Sequence, residues 1–266
     1  MPPIESLILP RLELQQVEMG YADLTVLREV TLDVVPGEVI AVIGPNGVGK
    51  STLVRVASGM LPPLSGRVRI NGSHLGELAP AERARLVSVV PQATSLPPAF
   101  LAQEVVLMGR TPYLGWFETE NESDYLVARE AMERTDTVDL TDRPIGELSG
   151  GEQQRLLIAR ALAQAAPIML LDEPTAHLDL RHQDRVLGLV RALAKDEGLA
   201  VLLALHDLNL VSKFADRVAL LSESVIRKVG TPEEVLDANL LEAVYGIRIQ
   251  VVPSPIDGKP WVLSAE

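Results

Sequence analysis

The sequence predicts an α/β fold: a mainly parallel sheet with an antiparallel β patch before it and a helical segment inserted into it. Three observations carry that reading. Short apolar runs alternate with amphipathic stretches, the pattern of repeated βαβ units. Hydrophobic residues make up 47% of the chain and aromatic residues only 3%, so the core is aliphatic, as in the Val/Ile/Leu strands of a sheet covered on both faces. The length of 266 residues suits one large domain with a subsidiary lobe better than two separate domains.

The elements follow in order. The early stretches LELQQVEMGY, TLDVV and RVRINGSHL alternate apolar and polar residues and carry turn signals, which predicts the antiparallel patch. Parallel strands are expected at 39–43, 87–90, 168–171, 201–205 and 218–221, with helices following from Lys50, Leu180 and Asp207. Between VVPQ and PIMLLD the spacing turns helical, which predicts a lobe over about 95–165 in which ETENESD opens a helix and LSGGEQQR starts the last one. After Gly230 come a capped short helix, TPEEVL, and a strand-like IRIQVV. The division expected is a single domain over 11–252 and a C-terminal tail over 253–266.

Composition narrows the function classes. A formal charge of −12, from 24 basic and 36 acidic residues, argues against a broad nucleic-acid surface, which needs clustered Lys and Arg. With no cysteine there is no disulfide, thiolate zinc site or Cys nucleophile. The N-terminal MPPIESLILPRLELQQ lacks a basic start and a long apolar run, so no secretory signal is expected. Apolar runs such as GLAVLLALHD are strand-sized, so the chain is expected to be soluble by itself, with any membrane role supplied by a partner.

The chemistry is concentrated in a few strand ends. VIAVIGPNGVGKST is an apolar strand running into Gly44, Pro45, Asn46, Gly47, Val48, Gly49, Lys50, Ser51 and Thr52, and then a helix: the Walker A pattern in its required context. The glycines let backbone N–H groups close around phosphates, Lys50 reaches the β and γ phosphates, and the Ser51 hydroxyl suits Mg²⁺. IMLLDEP ends an apolar strand in Asp172, placed to hold Mg²⁺, and Glu173, placed to polarise an attacking water. Adjacent acids at a strand end are otherwise a solvated turn. His206 ends the strand in LAVLLALHD, where ligands of open α/β sheets gather, although a lone histidine is more often structural. Gln92, after VVP, is by local sequence equally an ordinary loop residue or an amide bridging Mg²⁺ and water. His74, His177 and His182 lack partners for a metal cage and are read as surface residues. Ser149, Gly150 and Gly151 before a helix form a second anion-binding helix start, apparently redundant with the first.

With these residues in place, the chain resembles the nucleotide-binding subunits of ATP-binding cassette (ABC) transporters. GPNGVGKST, VVPQ, LSGGEQQR, MLLDEP, TAHLD and LLALHD stand in the order of that family's Walker A, Q-loop, signature, Walker B, D-loop and H-loop. The resemblance implies a P-loop NTPase fold with a RecA-like core, an N-terminal antiparallel β subdomain and a helical subdomain, with ATP and Mg²⁺ as ligands. It implies that Tyr21 stacks on adenine, the alternative being a strand Tyr packed on its sheet. Gln92 senses the γ-phosphate and Mg²⁺, Glu173 is the general base, and His206 holds the γ-phosphate and attacking water. Asp179 communicates across a dimer, and Ser149 and Gly151 close over ATP held by the Lys50 of a second subunit.

Finer stretches, VVLMGRTPYLG, PTAHLDLRHQ, HDLNLVSKFADRVALL and GTPEEVL, resemble importers of iron siderophores, haem and vitamin B12. The partners implied are a second ATPase subunit, membrane permease subunits and, indirectly, a substrate-binding protein, on the cytoplasmic face of the inner membrane; no nucleic acid is implied. Alternatives are a non-transport ABC ATPase, such as the Fe-S assembly type, or the ATPase of another transporter class. Two departures concern loops: Val48 stands where the family favours a small or hydroxylated residue, and LLSESVIRKVG lacks the usual turn glycine.

Overall fold

The computed structural model describes residues 11–22, 24–92, 96–115, 117–176 and 178–265. The MPPIESLILP stretch, Ser95 at the expected start of the helical lobe, and His177 lie outside the described residues.

The chain opens with β1 (Leu12–Tyr21) and β2 (Leu24–Val34), paired antiparallel. Leu12, Leu14, Val17 and Met19 face inward, and the change of phase after Leu14 is made by a bulge at Gln16, whose φ is +49°. Next come β3 (Val39–Ile43), α1 (Lys50–Ala57), β4 (Ser65–Ile70), β5 (Ser73–His74), α2 (Pro80–Leu86) and β6 (Val87–Val90). β1, β2, β4 and β5 form an antiparallel sheet in the order β2-β1-β4-β5.

The helical stretch contains α3 (Ala102–Leu107), α4 (Glu122–Arg134) and α5 (Gly150–Ala163). Asn121 caps α4, so ETENESD does open a helix. The chain then runs through β7 (Ile168–Asp172), α6 (Leu180–Glu197), β8 (Ala200–Ala204), α7 (Leu208–Phe214), β9 (Arg217–Ser222) and β10 (Val225–Gly230). A six-stranded sheet results, in the order β10-β9-β3-β8-β7-β6, parallel except for β10 at its edge. Every residue of β3, β7 and β8 is buried, as expected of central strands covered on both faces. Full burial of each Ile or Leu there contributes about 1.5–3 kcal/mol. One face packs on α1 and the antiparallel sheet through Ile40, Val42, Leu170 and Leu202, and the other on α5 and α6 through Ala41, Ile43, Leu171 and Leu203.

The missing turn glycine does not prevent the β9–β10 hairpin. Glu223 and Ser224 take φ of +48° and +69°, the geometry of a two-residue turn, held because Ser224 accepts the Arg28 N–H at 2.7 Å and donates its hydroxyl to Thr25. After α8 (Pro232–Val235) and α9 (Ala238–Tyr245), β11 (Arg248–Pro253) pairs with β12 (Pro260–Ala265). The stretch expected as a tail thus begins at the end of one strand and supplies the other. Asn209 of α7 fixes it by exchanging hydrogen bonds with both backbone groups of Val262.

One ion pair organises the helical stretch. Arg110 donates to Asp124 at 2.9 Å and to the Ala163 carbonyl at 2.8 Å, and lies 4.0 Å from the centre of the Tyr113 ring. Asp124 also accepts the Asn121 N–H, and this bond, followed by the Arg110 hydrogen bond, holds its carboxyl below the usual carboxylate range. A carboxyl depressed in the folded state stabilises above its unfolded pKa and loses that contribution as pH falls through its lower folded pKa. Asp124→Ala is therefore expected to cost about 3 kcal/mol at pH 7, because it leaves the largely buried Arg110 with no opposite charge, only the Ala163 carbonyl and the Tyr113 ring. In urea unfolding the gap from the parent protein closes as the pH is taken below about 4. No helix among the described residues is long and apolar enough to cross a membrane.

Candidate active site

Register brings distant residues of the sequence to one level. Val42 is opposite Ala204, Ala204 is opposite Asp172, and Leu171 is opposite Val90. The loop after β3, Gln92 after β6, Glu173 after β7 and His206 after β8 therefore emerge together at the carboxyl ends of the parallel strands. In open α/β sheets this edge is where ligands bind.

The loop after β3 is shaped by backbone freedom. Gly44 has φ +150°, and a Cβ placed there would lie 2.2 Å from the Leu221 carbonyl oxygen. Gly44→Ala therefore has to displace the β9 backbone, and we expect it to destabilise the protein by about 2–4 kcal/mol in thermal or urea unfolding. Val48, the departure noted in the sequence, packs its side chain beside Gly44 and against the core under α1. Gly49 occupies the N-cap position of α1 and supplies no side-chain cap, so the first N–H groups of that helix are left for a ligand.

Lys50 is 4% exposed and folds back on its own loop, donating to the carbonyls of Gly44 at 2.9 Å and Pro45 at 3.2 Å. The nearest Glu173 oxygen is 3.8 Å away, beyond hydrogen-bond range. Burial pushes the Lys50 pKa down, with Glu173 and then Asp172 acting in the opposite sense. The ammonium is thus under-neutralised and positioned for an anion that displaces the carbonyls. Ser51 donates to Asp172 at 2.9 Å. Burial raises the Asp172 pKa, and the Ser51 hydrogen bond partly offsets it.

Glu173 is the centre of the cluster. It accepts the Gln92 amide at 2.7 Å and has the His206 ring nitrogen Nδ1 at 3.8 Å. Its backbone is left-handed, with φ +47°, a strain of about 1–3 kcal/mol for a non-glycine residue. Its N–H donates to Ala204 and its carbonyl accepts from Ala176, so the neighbouring strand and the next turn fix this conformation. The strain turns the side chain away from the line of β7 and toward Lys50, Gln92 and His206.

Tyr21, 45% exposed, stands at the end of β1 over a hollow of about 250 Å³, lined also by Val26, Gly47, Gly49, Lys50, Ser51, Thr52 and Glu173. Val26 escaped the sequence reading, because a β2 valine gives no local hint that it flanks the phosphate loop. Asn46 and Gly47 are exposed at the loop tip. Among the described residues, no three His, Cys, Asp or Glu side chains form a metal-holding group. The Ser51 hydroxyl, the Asp172 carboxylate and the Gln92 amide are among the oxygen donors near the loop, and such hard donors suit Mg²⁺ carried in with phosphate oxygens.

Ser149, Gly150 and Gly151 sit at the N-terminus of α5, and no hydrogen bond or ion pair among the described residues ties them to the Lys50–Glu173 cluster. Ser149 and Glu152 form a capping box: Glu152 accepts both the Ser149 N–H and hydroxyl at 2.7 Å. Those bonds hold the Glu152 carboxyl below the usual range. Asp179 caps α6 and pairs with the His182 ring at 2.7 Å. His182, read from sequence as an ordinary surface residue, therefore has a carboxylate partner; the spacing of Asp179 and His182 on a new helix was the available clue.

A family model for the ABC transporter matches residues 27–176. The ferric enterobactin transport ATP-binding protein FepC of Escherichia coli K12 is 38% identical over 253 residues, covering 95% of this chain and 93% of that protein. The hemin import ATP-binding protein HmuV of Thermobifida fusca is 43% identical over 249 residues, covering 94% and 87%. Among solved structures, an inward-facing metal-chelate type ABC transporter is similar with a TM-score of 0.85 at 30% identity, covering 97% of this chain and 98% of its own. The dimeric cassette MJ0796 gives a TM-score of 0.74 at 28% identity, covering 83% and 98%. Matched over more than half its length by the family model and over more than nine tenths by such relatives, this chain belongs to the ABC transporter family.

Proposed function

We propose that the chain is the ATP-hydrolysing subunit of an importer that takes up an iron chelate, haem or a cobalamin-like molecule through separate membrane subunits. The observation that carries the ATPase reading is Glu173, turned by a strained backbone into a cluster of Lys50, Gln92 and His206 beside an uncapped helix start. In this reading the backbone N–H groups of Asn46 to Thr52 and the Lys50 ammonium hold the phosphates, and Tyr21 stacks on the base. Ser51, Asp172 and Gln92 would hold Mg²⁺, which when bound neutralises phosphate charge. Glu173 takes the proton of the attacking water, and His206 holds that water against the γ-phosphate. The residues work by position and charge, with no covalent intermediate.

Among the described residues, the hollow beside Tyr21 and Lys50 has no lining residue from the Ser149–Gly151 helix start of its own chain, which supports a site one chain lines only in part. The second part is the Ser149–Gly151 helix start, with Asp179, of another cassette. ATP then joins two subunits and hydrolysis releases them. The helical stretch over about 95–165 is the subdomain that receives the membrane subunit at the cytoplasmic face, and a substrate-binding protein delivers the cargo outside. The cargo class is supported by the similarity to FepC, a ferric enterobactin transport protein, to HmuV, a hemin import protein, and to a cobalamin import protein of Halobacterium salinarum.

The test is to purify the chain with its membrane subunit, reconstitute both in vesicles, and measure ATP turnover with ferric siderophores, haem and cobalamin supplied with their binding proteins. One of these cargoes is expected to raise turnover. Turnover without a co-purifying membrane protein, unchanged by every cargo, would count against the importer.

A further inference from the structure

His182 joins two parts of the chain that sequence reading keeps apart. The Asp179 carboxylate accepts the His182 backbone N–H at 2.9 Å and lies 2.7 Å from the ring nitrogen Nδ1. These two bonds, the backbone one first, hold the Asp179 carboxyl below the usual range, so it is ionised and the proton of the side-chain bond sits on Nδ1. The bond sets the direction of the ring, with its Cδ2–Nε2 edge turned away from Asp179.

That edge lies on Gly151. A Cβ placed on Gly151 would be 2.7 Å from His182 Cδ2 and 3.3 Å from Nε2. Gly150, one residue earlier, has nothing within 4 Å of such a Cβ and is exposed. The two glycines of the Ser-Gly-Gly start thus differ in their surroundings: Gly150 is open to solvent, whereas Gly151 lies against a histidine of the same chain. Asp179, at 67% side-chain exposure, and His182, at 36%, remain at the surface beside it. α5 and α6 are connected at this end by this contact as well as by their shared core.

We propose that His182 is a positioning residue that locks the Asp179 loop to the Ser149–Gly151 helix start, so that both present to a second subunit as one rigid surface. The inference rests on the proposed ATP-joined dimer. A surface fixed before association loses less conformational freedom when it binds, so the lock favours dimer formation. It does not alter nucleotide binding by a single chain, because His182 contacts nothing in the Lys50–Glu173 cluster.

The test separates the two halves of the contact. His182→Asn keeps an amide donor for Asp179 but removes the ring edge over Gly151; His182→Phe keeps a ring there but removes the donor. For each variant and for His182→Ala, ATP turnover is measured against protein concentration, with ADP binding and melting temperature measured on the same samples. The concentration giving half-maximal specific activity is expected to rise about fivefold or more in His182→Ala and less in the two partial variants, while ADP affinity stays within twofold of the parent. A parent-like concentration dependence in His182→Ala overturns the proposal, as does a rise accompanied by an equal loss of ADP affinity, which would mark general damage. If the parent protein's own turnover does not depend on its concentration, the dimer reading itself fails, and the His182 proposal with it.

Discussion

Glu173→Gln is expected to lower ATP turnover by about 10²–10⁴-fold while leaving ATP binding intact. The carboxamide keeps the size of the side chain and an oxygen that can accept from Gln92, now at 2.7 Å, so the cluster's geometry survives and only the basic oxygen is lost. Because the nucleotide binds and is not consumed, ATP-loaded dimers should accumulate and be visible by size-exclusion chromatography or light scattering. Single-turnover measurement with radiolabelled ATP separates slow chemistry from slow product release. Turnover within tenfold of the parent would remove Glu173 from the role of base and leave His206, the other strand-end group in reach of the same space, to be tested in its place.

Lys50→Ala is expected to weaken ATP binding by about 100-fold, near 3 kcal/mol, measured by calorimetry or by displacement of a fluorescent nucleotide. The ammonium is buried, holds two carbonyls and has no carboxylate within hydrogen-bond range. Removing it deletes the cation that meets the phosphates and leaves Asp172 and Glu173 to repel them. Stability should respond differently. Burial disfavours the charged form of Lys50, so its loss also lifts a desolvation cost, and the nucleotide-free variant should melt within a few degrees of the parent. A variant that binds ATP normally would mean that the helix-start amides alone hold the phosphates.

Much of the fold was legible because its causes are local. The wholly apolar runs 39–43 and 168–171, and the mostly apolar run 87–90, are strands in the structure, β7 extending one residue to take in Asp172. Helices start at Lys50 and Leu180 as expected, and the third begins at Leu208 because Asp207 spends its side chain as the cap. The C-terminal strand β12 was not legible: its sequence is short and follows a proline-bounded turn, and what makes it a strand is its pairing with β11, held in place at Val262 by Asn209. The Glu223–Ser224 turn likewise lacks the residue type that announces such a turn, and contacts with β2 supply what glycine would otherwise have done.

The candidate site divides along the same line. Sequence alone determined its chemical groups: a glycine loop with Lys50 and Ser51, the Asp172–Glu173 pair, Gln92, His206, and a second helix start at Ser149. These follow from residue type and from position at the end of an apolar run, both short-range properties. Only the tertiary structure decided that Glu173 turns out of its strand on a left-handed backbone, that Val26 borders the hollow, and that His182 lies on Gly151. Each of these is set by strand register and by packing between segments far apart in the chain, and an isolated stretch of sequence carries no record of the neighbour it will meet.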